Sequence, residues 1–268
     1  MKMKEITSRQ NDTVVWAASL KEKKYREKHS CFLAEGIKLV KEALAARLPV
    51  THLFVCEGKQ TILDEIEPLL RMNAPAVFLL SSACFEKIST EKAPQGVIAV
   101  IKYLDFFKKT AKINKEDVSA RALLLSSVRD PGNLGAIIRS AAAFGTETVI
   151  LSADSADIYH TKVLRSSMGT LFRLRILMVE DVVASIEELR AAGRRFFAAE
   201  LRDCAVPLSC LELAAGDIFV IGNEGHGIDS QISSACDGSV YIPIQDGVES
   251  LNASVAASVL LWEQSKRM

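Results

Sequence analysis

Val128-Arg129-Asp130-Pro131-Gly132-Asn133-Leu134-Gly135-Ala136-Ile137-Ile138-Arg139 is the stretch on which the reading of this chain turns. It follows a compact apolar strand at 122–126 and opens a helix over 133–144, with another strand at 148–151. Asp130-Pro131-Gly132-Asn133 joins strand to helix. Asp130 or Asn133 caps that helix, and the glycines permit tight backbone geometry. Free N–H groups at the helix start suit an anion such as an RNA phosphate. Arg139 falls about two turns into the helix among Ala136, Ile137, Ile138, Ala141, Ala142 and Ala143. Such surroundings are not those of an ordinary solvent-facing arginine, so Arg139 is read as either a functional group or one half of a structural ion pair.

Two later segments share this character. Gly222-Asn223-Glu224-Gly225-His226-Gly227 forms the loop after a strand at 217–221. In open α/β sheets that edge is where ligands sit, and Glu224 is its one fixed charge. Then Ile242-Pro243-Ile244 ends a strand at 239–242, and Glu249-Ser250-Leu251-Asn252-Ala253-Ser254 precedes a helix over 250–264. That helix is apolar nearly all round over 253–262, so it is expected to be buried, and its small residues suit close packing against a partner subunit. Any one of these glycine-bearing segments alone reads as a turn. Together they suggest one site assembled from three distant loops.

Composition narrows the classes. At 268 residues with 49% apolar content, the chain can bury one large core or two modest ones. Lys+Arg and Asp+Glu are both 33, which argues against a broad electrostatic field for nucleic acid. Lys21, Lys23, Lys24, Arg26 and Lys28 nevertheless crowd together. They read equally as an RNA surface or as a solvated helix face. The cysteines Cys31, Cys56, Cys84, Cys204, Cys210 and Cys236 are scattered, as are the histidines. The expectation is a cytoplasmic protein with reduced, mostly buried thiols, no bound metal and no membrane span. Neither a Gly-x-Gly-x-x-Gly dinucleotide fingerprint nor a P-loop is present.

Strand-like runs at 52–55, 76–80 and 96–101 alternate with helical patterns at 13–28, 37–46, 61–71 and 82–88, a small α/β domain over 1–103. The charged stretch 104–120 reads as a linker. The remainder, 121–268, has continuous apolar strands between helices, the pattern of a parallel sheet covered on both faces.

The three segments together resemble the signature motifs of the SpoU/TrmH family of SPOUT-class RNA ribose 2′-O-methyltransferases. Asn133 and Arg139 match the first, Gly222 and Glu224 the second, and Ile242-Pro243 with Ser250-Leu251-Asn252 the third. Lys162-Val163-Leu164-Arg165-Ser166-Ser167-Met168-Gly169 resembles the family's middle segment. Phe32-Leu33-Ala34-Glu35-Gly36, followed by Leu39-Val40, resembles more loosely the substrate-recognition domain, which has the small α/β fold of certain RNA-binding ribosomal proteins. The resemblance implies a C-terminal domain with a deep trefoil knot, and a homodimer whose active site is completed across the interface. It implies S-adenosylmethionine held largely by backbone groups at Gly222, Ile242 and Leu251. The substrate is RNA, most similarly large-subunit ribosomal RNA. Arg139 is assigned to the 2′-hydroxyl, either as base or as a charged stabiliser of the alkoxide. Asn133, Glu224, Ser250 and Asn252 shape the site. Transfer RNA as target, and a non-catalytic RNA-binding protein of the same fold, are the competing expectations.

Overall fold

The computed structural model describes residues 3–266. The chain separates into two compact units that do not follow sequence order. The first comprises the residues through Leu104 together with Tyr159–Phe172. The second comprises Asp105–Ile158 and the residues from Arg173 onward.

The first unit runs β1 (Met3–Ile6), α1 (Asp12–Ser19), α2 (Lys23–His29), β2 (Cys31–Glu35), α3 (Ile37–Ala45), β3 (Val50–Cys56), α4 (Thr61–Asn73), β4 (Ala76–Leu80), α5 (Ser82–Ile88) and β5 (Val97–Lys102). Its sheet has the order β1-β4-β3-β5-β2. The first three strands are parallel, and β5 runs antiparallel to both neighbours. Phe54, Phe85, Leu80 and Ile98 are fully buried in its core.

The basic helix expected over 13–28 is two helices. Asn11 caps α1 by accepting from the Thr13 amide at 3.0 Å. The break after α1 is held by Arg26, whose buried guanidinium donates to the carbonyls of Leu20 (3.0 Å) and Lys21 (2.6 Å). Lys21 donates to the carbonyls of Lys87 and Ser89 at 2.8 and 2.7 Å. Burial pushes the Lys21 ammonium below its ordinary pKa, against the pull of Glu35. Two of the expected basic surface groups therefore cap backbone carbonyls. Lys23, Lys24 and Lys28 are the exposed remainder.

The second unit runs β6 (Phe107–Thr110), β7 (Ala122–Leu125), α6 (Pro131–Ala143) and β8 (Thr148–Ser152). After the chain visits the first unit it continues with β9 (Arg175–Val179), α8 (Val182–Ala191), β10 (Phe196–Ala199), β11 (Val206–Pro207), β12 (Ile218–Ile221), α9 (Ser230–Ala235), β13 (Gly238–Tyr241) and α10 (Ala253–Ser265). The sheet is parallel throughout, in the order β11-β13-β10-β12-β7-β8-β9-β6. Strand β6 lies within the stretch expected as a linker, because an edge strand paired on one side tolerates Lys108 and Lys109.

The visiting stretch carries α7 (Thr161–Ser166). Tyr159 anchors it in the first unit. Its ring stacks on Phe32 (centroids 4.7 Å apart) and Tyr103 (4.1 Å), and its hydroxyl accepts from the Leu104 amide at 2.9 Å.

Three expectations about burial change. Cys31 and Cys84 are buried, but Cys204 and Cys210 are exposed. Helix α10 buries only Ala257, Leu260, Leu261 and Gln264, leaving Val255 48% and Trp262 52% exposed. Arg139 is exposed. Among the described residues no helix is long and apolar enough to cross a membrane.

Candidate active site

In a parallel sheet all strands deliver their loops to the same edge, and β7, β12 and β13 do so here with the three glycine-bearing segments. After β7, Asp130 is the residue that caps α6. Its carboxylate accepts from the Asn133 amide at 2.8 Å, with Pro131 in the first turn. The protein's own carboxylate thus takes one of the amides expected to meet a phosphate.

The loop after β12 is closed on itself. Asn223 and Gly227 exchange backbone hydrogen bonds at 2.8 and 3.0 Å, and the Asn223 side chain accepts from the amides of Gly225 (2.9 Å) and His226 (3.1 Å). A Cβ on Gly222 would lie 2.4 Å from the Gly227 carbonyl carbon, so only glycine fits there.

After β13, Asn252 caps α10 by accepting from the Ser254 amide at 2.9 Å. Three of the expected site residues meet. Asn133 Nδ2 donates to Glu224 Oε1 at 2.8 Å, and Asn252 Nδ2 donates to Asn133 Oδ1 at 3.0 Å. The direction of this relay is set by chemistry. The carboxylate can only accept, so Asn133 turns its amide NH2 to it and its oxygen to Asn252, whose own oxygen faces the helix amide.

Arg139 does not join the relay. Six residues beyond Asn133 on α6, it lies about 120° further round the helix and about 9 Å along it. Among the described residues its side chain has no hydrogen bond or ion pair. Ser250 is likewise exposed and outside the relay, while Ile242 and Leu251 are half-buried beside their loops.

A support layer behind the first loop was not legible in the sequence. Ser127 adopts a left-handed backbone (φ 57°) and bonds Ser152 Oγ through its amide (2.7 Å) and Asp154 through its hydroxyl (2.7 Å). Its carbonyl accepts from Asn223 Nδ2 (2.8 Å). Ser127 therefore ties the first loop to the second. Arg129 also donates to Asp154, at 2.9 Å. No local pattern announces Asp154, which lies far along the chain from Ser127.

Burial alone would raise the Asp154 pKa, but hydrogen bonds from Arg129, Ser152 and Ser127 outweigh it and bring it from 3.8 down to about 2. A depressed folded-state pKa contributes stability above the ordinary value, lost as pH falls through the folded one. Acid unfolding of the wild type is expected to show this loss as pH drops from about 4 to about 2. The Asp154→Asn variant should be less stable at neutral pH and flatter across that window. Coincident pH–stability curves would contradict the assignment.

A sequence model of the SpoU rRNA methylase family matches residues 120–262, and one of an MRM3-like substrate binding domain matches residues 11–99. The chain is 31% identical over 260 residues to the 23S rRNA (guanosine(2553)-2′-O)-methyltransferase RlmP of Bacillus subtilis, covering 97% of this chain and 98% of that protein. It is 29% identical over 267 residues to the 23S rRNA (uridine(2479)-2′-O)-methyltransferase of Streptomyces viridochromogenes, covering 97% and 91%. The crystal structure of an AdoMet-bound rRNA methyltransferase from Sinorhizobium meliloti matches with a TM-score of 0.85 at 26% identity, covering 99% of this chain and 98% of that one.

Proposed function

The chain belongs to the SpoU rRNA methylase family, and on that premise we propose that it methylates a ribose 2′-hydroxyl of large-subunit ribosomal RNA from S-adenosylmethionine. The observation that carries this reading is the Glu224–Asn133–Asn252 relay, which joins all three loops at one sheet edge. The names of the relatives favour ribosomal over transfer RNA as substrate.

The loops fit the cofactor. Among the described residues the backbone N–H groups of Gly222, Ile242 and Leu251 have no hydrogen-bond partner. They are donors left for a ligand, and Gly222 lets one approach the backbone. S-adenosylmethionine supplies an electrophilic methyl carbon. The chain must supply position and charge for a hydroxyl that is a poor nucleophile while protonated. The planar guanidinium fork of Arg139 stabilises the developing alkoxide and holds the adjacent phosphate while the hydroxyl proton leaves to water or phosphate. Asn133 and Asn252 orient Glu224, and Glu224 presents an acceptor for a guanidinium or a ribose hydroxyl. Ser250 borders the same loop and contacts the substrate.

Arg139 reaches such a cluster in a homodimer. It projects from α6, which packs against α10, and the exposed Val255 and Trp262 lie on α10 with Phe144 against Trp262 at 5.8 Å. An apolar exposed face of this kind suits a second copy. Arg139 of each protomer then serves the relay of the other. A deep trefoil knot in the second unit is part of this reading. The first unit acts as the RNA-recognition domain with a ribosomal-protein-like fold. Reduced cysteines throughout suit the cytoplasm.

Incubation of the purified protein with S-adenosylmethionine and either 23S rRNA or bulk tRNA, followed by nuclease digestion and mass spectrometry, tests the reading. A 2′-O-methylnucleoside from rRNA alone is expected. A base-methylated product, or transfer to tRNA alone, would contradict it.

A further inference from the structure

Two segments singled out in the sequence have no part in the site above: Phe32–Gly36 with Leu39, and Lys162–Gly169. The first unit brings them to one cavity of about 220 Å³, lined among others by Glu35, Gly36, Leu39, Glu91, Arg165 and Met168. Its walls are built. Glu35 is only 7% exposed. It accepts from the Ser89 hydroxyl and from both the amide and hydroxyl of Thr90 at 2.8 Å, which pins the loop after α5. Arg165 donates to the Thr90 hydroxyl at 3.1 Å and pairs with Glu91. Gln95 takes the first free amide of α3, accepting from Ile37 at 2.8 Å. Gly169, at φ 84°, seats its loop on α3 so closely that a Cβ would lie 2.7 Å from the Glu42 side chain.

We infer that this cavity receives one unstacked nucleobase of the RNA substrate, an inference that rests on the RNA-methylating reading above. Glu35 and Glu91 are matched in the lining by Lys38 and Arg165, so the cavity has no cationic excess to favour a phosphate, while the carboxylates and the Gln95 carbonyl oxygen offer acceptors to the N–H donors on a base edge. Leu39, Ala93 and Met168 offer apolar surface to the faces of a ring, and the planar Arg165 guanidinium stacks on one. The volume falls below the roughly 300–1,000 Å³ of sites for whole cofactors, so it suits one ring system and not a complete nucleotide. Recognition of a single-stranded base by a satisfied polar pocket would let a nearly uncharged protein select an RNA without a broad positive field.

Ala93 is exposed, so a bulky side chain there can fill the cavity without entering the core. Ala93→Trp is expected to weaken binding of transcribed 23S rRNA by about tenfold, the worth of one stacked base, and to leave S-adenosylmethionine affinity unchanged. Ala93→Ser should bind RNA like the wild type. In a second measurement, AMP, GMP, CMP and UMP at millimolar concentration are titrated against methyl-labelled protein. At least one should shift the Met168 methyl resonance in the wild type and none in Ala93→Trp. Unchanged RNA affinity in Ala93→Trp, or a Met168 signal that no nucleotide moves, overturns the proposal. Wild-type methyl transfer to rRNA, measured alongside, separates failure of the cavity from failure of the enzymatic reading.

Discussion

Arg139→Ala is expected to lower methyl transfer by about 10²–10³-fold, the usual loss for one preorganised electrostatic group, while S-adenosylmethionine affinity stays as in the wild type. The separation follows from geometry. The Arg139 side chain is exposed and, among the described residues, makes no hydrogen bond or ion pair, so truncating it breaks no polar side-chain contact within the chain. It lies well round α6 from Asn133, outside the relay that joins the three loops. The loss should therefore appear in turnover and not in cofactor binding or thermal stability. Arg139→Lys keeps charge but lacks the fork that can hold alkoxide and phosphate together, so it should recover only part of the rate. Single-turnover kinetics beside calorimetry measure both quantities. Substantial residual activity in Arg139→Ala would remove the residue from the mechanism.

Gly222→Ala carries the second large effect, and here the target is the cofactor. The added Cβ would sit 2.4 Å from the Gly227 carbonyl carbon, 2.5 Å from its oxygen and 2.7 Å from Ile228 Cγ1. Backbone cannot yield as a flexible side chain does, so the loop must open. Opening breaks the paired Asn223–Gly227 hydrogen bonds and displaces Glu224 from Asn133. Losing one or two such bonds costs about 1–3 kcal/mol, which places the fall in S-adenosylmethionine affinity at about 10–100-fold. Gly225→Ala is the matched control, since its Cβ meets only Asn223 Oδ1 at 3.6 Å. Calorimetric titration of both variants, with circular dichroism to confirm folding, tests the prediction. Equal affinities in the two would contradict it.

The loops of the site are legible in sequence because each carries its own local chemistry: a strand, then capping or glycine residues, then a helix. Asn133, Glu224 and Asn252 announce themselves in this way, and their convergence follows from a parallel sheet that sends every loop to one edge. What is not legible depends on partners distant in the chain. The exposure of Arg139 and Trp262 contradicts their apolar surroundings because composition records what a face prefers, not whether one chain alone covers it. Strand β6 hides among lysines because an edge strand needs only one neighbour. The split between α1 and α2 is set by Arg26 folding back onto carbonyls, which no helical periodicity reveals. The placement of Tyr159–Phe172 in the first unit depends on Tyr159 finding Phe32 and Tyr103.

The most direct test of the central claim is a nucleotide-resolution map of ribose methylation in 23S rRNA from cells with and without this gene. One 2′-O-methyl mark is predicted to vanish on deletion, to return with the wild-type gene and to stay absent with Arg139→Ala. A map unchanged by deletion, or a mark restored in full by Arg139→Ala, would contradict the account.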